Sequence, residues 1–169
     1  MANALMEASA GMIANSPPWM TAVPHLLALT LPWILALFHL AGPVPADLGL
    51  SNGHLRPCPT AAHCAERSWS VSDTNVVMAA LEQQLSSMPG TTVVWSDPAQ
   101  GYVHATATSR LFGFVDDIEL HSTASLGVIE ARSESRLGDS DLGVNGRRLD
   151  QLEEVIQPAI TRPQGPAQD

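Results

Sequence analysis

Lysine is absent from this 169-residue chain: all eight basic side chains are arginine, set against 17 acidic ones, for a formal charge of −9 and a pI near 4.9. Nucleic-acid affinity rests mainly on clustered positive charge that neutralises phosphates, so no nucleic-acid partner is expected. There is also no glycine-rich nucleotide loop, no G-x-S-x-G elbow, no C-x-x-C pair and no haem or paired metal motif. The sequence therefore names no reaction, and neither a cofactor nor a catalytic residue is assigned from motifs. The length suits one domain with a proper core plus an N-terminal appendage, and is too short for two ordinary domains.

Charge is scarce in one region in particular. No arginine precedes Arg56, and Glu7 and Asp47 are the only acidic residues in that part of the chain. Residues 19–40 follow an 18-residue leader and are dominated by apolar side chains without a formal charge. As a helix they would reach about 33 Å at 1.5 Å per residue, enough to cross a bilayer. Three readings of this run stay open: a membrane-spanning anchor, a cleavable signal sequence, and a buried or interfacial helix. Pro24 and Pro32 each remove a helical hydrogen bond, which counts against a simple anchor. The missing basic leader counts against a standard signal, although Val44, Pro45 and Ala46 ahead of Asp47 form an imperfect cleavage site. Gly42 and Pro43 stand where a lipoprotein cysteine would follow the apolar run, so lipid anchoring there is excluded. A membrane is the expected partner; orientation is open, since there is almost no positive charge to count, and Met12 or Met20 could be the true start.

Residues 41–54 are rich in proline, glycine, serine and alanine and read as a linker that becomes an ordered arm near Leu55, where a domain over residues 55–160 begins. Ser72 or Asp73 can cap a helix whose apolar stripe is Val77, Leu81, Leu85 and Met88. Four runs then alternate or favour β-branched and aromatic residues, at 91–96, 102–112, 115–123 and 127–135, each separated from the next by a short turn signal. A second helix, capped by Asn145, presents Leu149, Leu152, Val155 and Ile156. The expected fold is α+β: a four-stranded antiparallel meander flanked by two amphipathic helices in a two-layer sandwich. Residues 161–169 lack apolar periodicity and read as a disordered tail.

Alternation along the strands sorts the polar residues. Arg110, Asp117, Glu119 and Arg132 fall on the face away from the apolar positions, with His104 and His121 nearby. These four are the candidate ligand-binding residues, with arginine as a bidentate partner for a carboxylate or phosphate. A solvated face with cross-strand ion pairs accounts for the same pattern. A second group, Asp116, Arg136, Asp139, Asp141, Asn145, Arg147 and Arg148, reads as a structural clasp that locks the last helix to the sheet. The 136–145 turn has oxygen donors at short spacing but lacks the closing glutamate of a calcium loop, so no metal is assigned to it. Cys58 and Cys64, with His54 and His63 close by, leave three readings open: a disulfide if the domain is exported, a zinc site, or reduced packing cysteines. Adjacent His63 and Cys64 are hard to aim at one tetrahedral centre. His25 and His39 sit in the apolar run, where uncharged histidine is tolerated.

Three ordered motifs, LRPCP at 55–59 with Cys64 following, FGFVDDIE at 112–119 and RSESRLGDSDLGVNGRR at 132–148, resemble the domain-of-unknown-function family numbered fourteen-ninety-nine. The resemblance covers residues 55–157. It departs from the usual family pattern at Gly146, where arginine is commoner, and at Ala61, Ala62 and His63, where Pro-Asn is commoner before the second cysteine. The resemblance implies a small exported, lipid-anchored or membrane-tethered protein, on the periplasmic or thylakoid-lumen side, without an established activity. The expected function is a non-enzymatic binding or accessory module working through its polar sheet face. The alternative is a hydrolase using Asp117 or Glu119 with Arg132.

Overall fold

The computed structural model of the chain describes residues 41–161. The leader, the apolar run at 19–40 and residues 162–169 lie outside the described residues, so the anchor, signal and tail readings are left where the sequence put them. Among the described residues no helix is long and apolar enough to cross a membrane.

The elements in order are β1 (Leu50–Ser51), β2 (His54–Leu55), β3 (Cys64–Ser70), α1 (Thr74–Ser87), β4 (Thr91–Asp97), β5 (Tyr102–Thr108), β6 (Val115–Thr123), β7 (Val128–Ser135) and α2 (Val144–Ile156). The fold is α+β, as expected, but the main sheet has five antiparallel strands in the order β3-β7-β6-β5-β4, not four. The added strand is β3, which pairs along its whole length with β7, from Cys64 opposite Glu134 to Ser70 opposite Val128. Its sequence, CAERSWS, carries a single large apolar side chain, Trp69, and so gives no alternating signal. Its edge position and polar partners account for that composition: Arg67 bonds Asp150 at 2.7 Å and Trp69 Nε1 donates to Glu153 at 3.0 Å, both on α2.

The chain must cross from β3 at one edge to β4 at the other, and α1 makes that crossing. Its 14 residues give about 21 Å of helix, close to the roughly 19 Å spanned by four inter-strand spacings. Asp73 caps it, with one carboxylate oxygen accepting from the amides of Asn75 at 2.9 Å and Val76 at 3.1 Å. At the other end Gly90 has φ +78° and lies so close to strand β5 that a Cβ there would meet the Thr108 carbonyl oxygen at 2.7 Å.

Helices and sheet enclose one core: Trp69 and Val71, then Val77, Leu81 and Leu85 of α1, Val103 and Ala105 of β5, Ile118 and Leu120 of β6, Ile129 and Ala131 of β7, and Leu149, Leu152 and Ile156 of α2. Val155, placed on the buried stripe by the sequence, is exposed. Removing these side chains from water is the main favourable term in the fold, at about 1.5 to 3 kcal/mol for each large one. The same burial fixes strand parity, and so decides which polar residues face the opposite side.

Candidate functional site

The face of the sheet away from the helices is not open. Residues 41–63, expected to begin as a linker, form an arm across it: β1 and β2 pair as a small antiparallel hairpin, Leu50 opposite Leu55 and Ser51 opposite His54. Beneath the arm lie the residues that strand parity grouped, Asp117, Glu119 and Arg132, each no more than 2% exposed.

Arg132 is the centre. Its Nη1 donates to Glu119 Oε2 at 2.9 Å, and its Nη2 donates to Asp47 Oδ2 of the arm at 3.2 Å and to Glu134. Its Nε is buried without a hydrogen-bond partner. The other oxygen of Glu119 accepts from the Tyr102 hydroxyl and from the Gly49 amide of the arm, both at 2.7 Å. Beside this centre Asp117 receives two parallel bonds from Arg136, Nε to Oδ2 and Nη2 to Oδ1, each 2.8 Å, and its Oδ1 lies 2.8 Å from Nε2 of His104. Glu130 completes the row: one oxygen lies 2.7 Å from Nδ1 of His54, and the other accepts from the Leu55 amide at 3.0 Å. His121 Nδ1 stands 3.5 Å from Glu130, close enough for an ion pair but not aligned for a hydrogen bond.

Burial and these bonds set the protonation states. Burial opposes charge on Asp117, but the bonds from Arg136 and His104 outweigh it and hold the carboxyl below the usual carboxylate range. Glu130 is held low in the same way, its burial outweighed by the Leu55 amide and His54. Glu134 goes the other way: burial pushes it up, and the pull of Arg132 only partly offsets this. Burial opposes the charge on Arg132, but the surrounding carboxylates more than restore it. Tyr102 is pushed up by burial and by donating to Glu119.

Three placements differ from the sequence reading. Arg136, grouped with the clasp, is the bidentate partner of Asp117 on the roofed face. Its backbone amide still bonds the Val115 carbonyl at 3.1 Å, so strand alternation continues one residue beyond β7. Arg110, grouped with the face, lies past the end of β5 in an exposed turn closed by Ser109 and Phe114. Asn145 is not the cap of α2. Asp141 does that work, its two oxygens accepting from the amides of Gly143 at 2.8 Å and Asn145 at 2.7 Å.

Of the remaining clasp residues, Asp116, Asn145 and Arg148 meet on the helix side of the sheet. Arg148 Nη2 donates to Asp116 at 2.7 Å, while its Nη1 donates to Ser133 at 2.8 Å and to Asn145 Oδ1 at 2.6 Å. The buried Asn145 amide nitrogen donates to the His63 carbonyl and to Ser135, both at 3.0 Å, tying α2 to β7 and to the arm. Arg147 donates to the Leu142 carbonyl at 3.0 Å, and Asp139 is exposed. Cys58 and Cys64 form a disulfide with Cα atoms 5.6 Å apart. Neither zinc nor free thiols describe this pair. Among the described residues no three His, Cys, Asp or Glu side chains are disposed to hold a metal ion.

Glu130 and Glu134 alternate with Ile129 and Ala131, and strand parity places them on the face of Arg132, where they are found. Asp47, Gly49 and His54 could not be placed from sequence, because their partners lie 70 or more residues away and no local pattern reports a roof.

A family model described as a protein of unknown function, DUF1499, matches residues 54–156. The chain belongs to that family. The DUF1499 match takes in the whole five-stranded sheet, both helices and the disulfide, but begins after Asp47 and Gly49, the two arm residues that reach the Arg132 centre. No curated protein matches the chain.

Proposed function

We propose that this DUF1499 domain is a non-enzymatic binding or accessory module, exported or held at a membrane, whose polar sheet face seats its own N-terminal arm. One observation carries the reading: Asp117, Glu119 and Arg132 are all buried, Glu119 and Arg132 are bonded to each other and to the arm, and Asp117 is held by Arg136 and His104. A general acid or base must reach the substrate proton it transfers and titrate near working pH. Asp117 is held as a carboxylate by Arg136 and His104, and Glu119 has both oxygens engaged. A hydrolase built on them with Arg132 would first have to lift the arm and break these pairs. The Cys58 to Cys64 bond supports export, since such bonds persist in oxidising compartments.

The test is a comparison of the parent with Asp117→Asn and Glu119→Gln on ester, phosphoester, peptide and glycoside substrates, with a thermal melt of each. The expected outcome is lower melting temperatures and no turnover that depends on either carboxylate. Turnover in the parent that vanishes in a variant with an unchanged melting temperature would establish the hydrolase.

A further inference from the structure

We infer that one end of the sheet, the end carrying the 109–114 and 136–143 loops, is a docking surface for the lipid bilayer interface. This rests on the membrane-held reading above and adds to it the part of the domain that touches lipid. The antiparallel register puts both loops at the same end, since Thr108 pairs with Val115 and Asp116 with Ser135. Six large apolar side chains are exposed there: Val44, Leu111, Phe112, Leu137, Leu142 and Val144, with Leu142 85% and Leu111 76% exposed. The other exposed apolar residues, Val76, Val94, Trp95, Leu126 and Val155, are spread over α1, β4, the far turn and α2. Scattered single apolar residues are ordinary on a protein surface, whereas a group of them at one end marks an interaction site.

The chain itself says what covers this end. Gly42 has φ +68° and packs so tightly that a Cβ there would meet Leu137 Cγ at 2.8 Å and Arg136 Cβ at 2.9 Å. It is therefore fixed within the apolar end. The uncharged apolar run at 19–40 stops two residues earlier, and two residues of chain reach at most about 7 Å. If that run enters a bilayer, the 109–114 and 136–143 loops are brought to its surface with it. Charge at this end is mixed, with Arg110 and Arg147 accompanied by Asp139 and Asp141. Docking is accordingly driven by apolar insertion into the interface, with arginine stems lying along it, and does not need anionic lipid.

The experiment uses the full chain reconstituted into phosphatidylcholine vesicles. A nitroxide is attached at Leu142→Cys or, as the control at the opposite end of the sheet, at Leu126→Cys; the native cysteines are held in their disulfide. Flotation reports whether the chain is held on the vesicle, and accessibility to a water-soluble nickel relaxant reports the label's surroundings. The expected result is a floating chain whose label at 142 is several-fold less accessible than the label at 126. A floating chain with equal accessibility at the two sites overturns the docking surface and leaves the tether standing. A chain that does not float overturns both. Spin-spin broadening at 142 that disappears on mixing with unlabelled chain would assign the surface to a second copy, which also overturns the lipid proposal.

Discussion

Arg132 illustrates how a charged side chain survives inside a small domain. It is fully desolvated, and that cost is offset only because Glu119, Glu134 and Asp47 surround the guanidinium. Arg132→Ala is therefore expected to destabilise the domain by about 3 to 5 kcal/mol, because it leaves buried carboxylates unpaired. The double variant Arg132→Met with Glu119→Leu should recover part of that loss, and urea denaturation of the three proteins checks both statements. Acid should act at the neighbouring sites. Asp117 and Glu130 have folded-state pKa values below their unfolded ones, so the stability they contribute is present above the unfolded values and lost as pH falls toward the folded ones. Glu134, raised in the fold, contributes in the opposite sense. The urea midpoint is expected to drop between about pH 5 and pH 3, near the ordinary carboxylate range, with a shallower drop in Asp117→Asn. Parity alone placed Asp117, Glu119 and Arg132 together, because burial of Ile118 and Leu120 leaves their neighbours no other side to face. It failed for Arg136 only because the strand ladder runs one residue further than the turn-like sequence suggested.

At the level of elements, α2 is held by its first turn as well as by its apolar stripe. Asp141→Ala removes the acceptor for two amides and should cost about 1 kcal/mol in thermal or chemical unfolding. The disulfide joins the arm to the first residue of β3, six positions apart. Closing so short a loop contributes about 2 kcal/mol by restricting the unfolded chain, so reduction should lower stability by that amount without changing the strand content seen by circular dichroism. Both helices and the four-stranded meander were legible, since each repeats its apolar side chains at its own period over many residues. The strand β3 was not. With Trp69 as its one large apolar residue, it is a strand because β7 offers an edge and α2 supplies partners for Arg67 and Trp69, and neither fact is local to its sequence.

At the scale of the molecule, the family core and the arm are separable questions. A chain beginning at residue 54 keeps everything the DUF1499 match covers but loses Asp47 and Gly49 from the Arg132 centre. It is expected to fold, with native-like circular dichroism, and to melt at a lower temperature than a chain beginning at residue 41; equal melting temperatures would show that the roof contributes nothing. The sequence offered an ordered arm only from about Leu55; the part before it, read as a linker, was hidden for a physical reason: its contacts with the sheet are backbone amides and single polar atoms, which leave no periodic trace. The far end of the molecule matters too. Ile160 bridges Val71 and the Thr161 amide bonds the Ser70 carbonyl, at the opposite end of the sheet from Gly42. The eight residues of β7 put roughly 25 Å of strand between the two points. A reporter fused after residue 161 would thus point away from whatever the Gly42 end rests on, so a fluorescent or epitope tag there can be attached without competing for that contact.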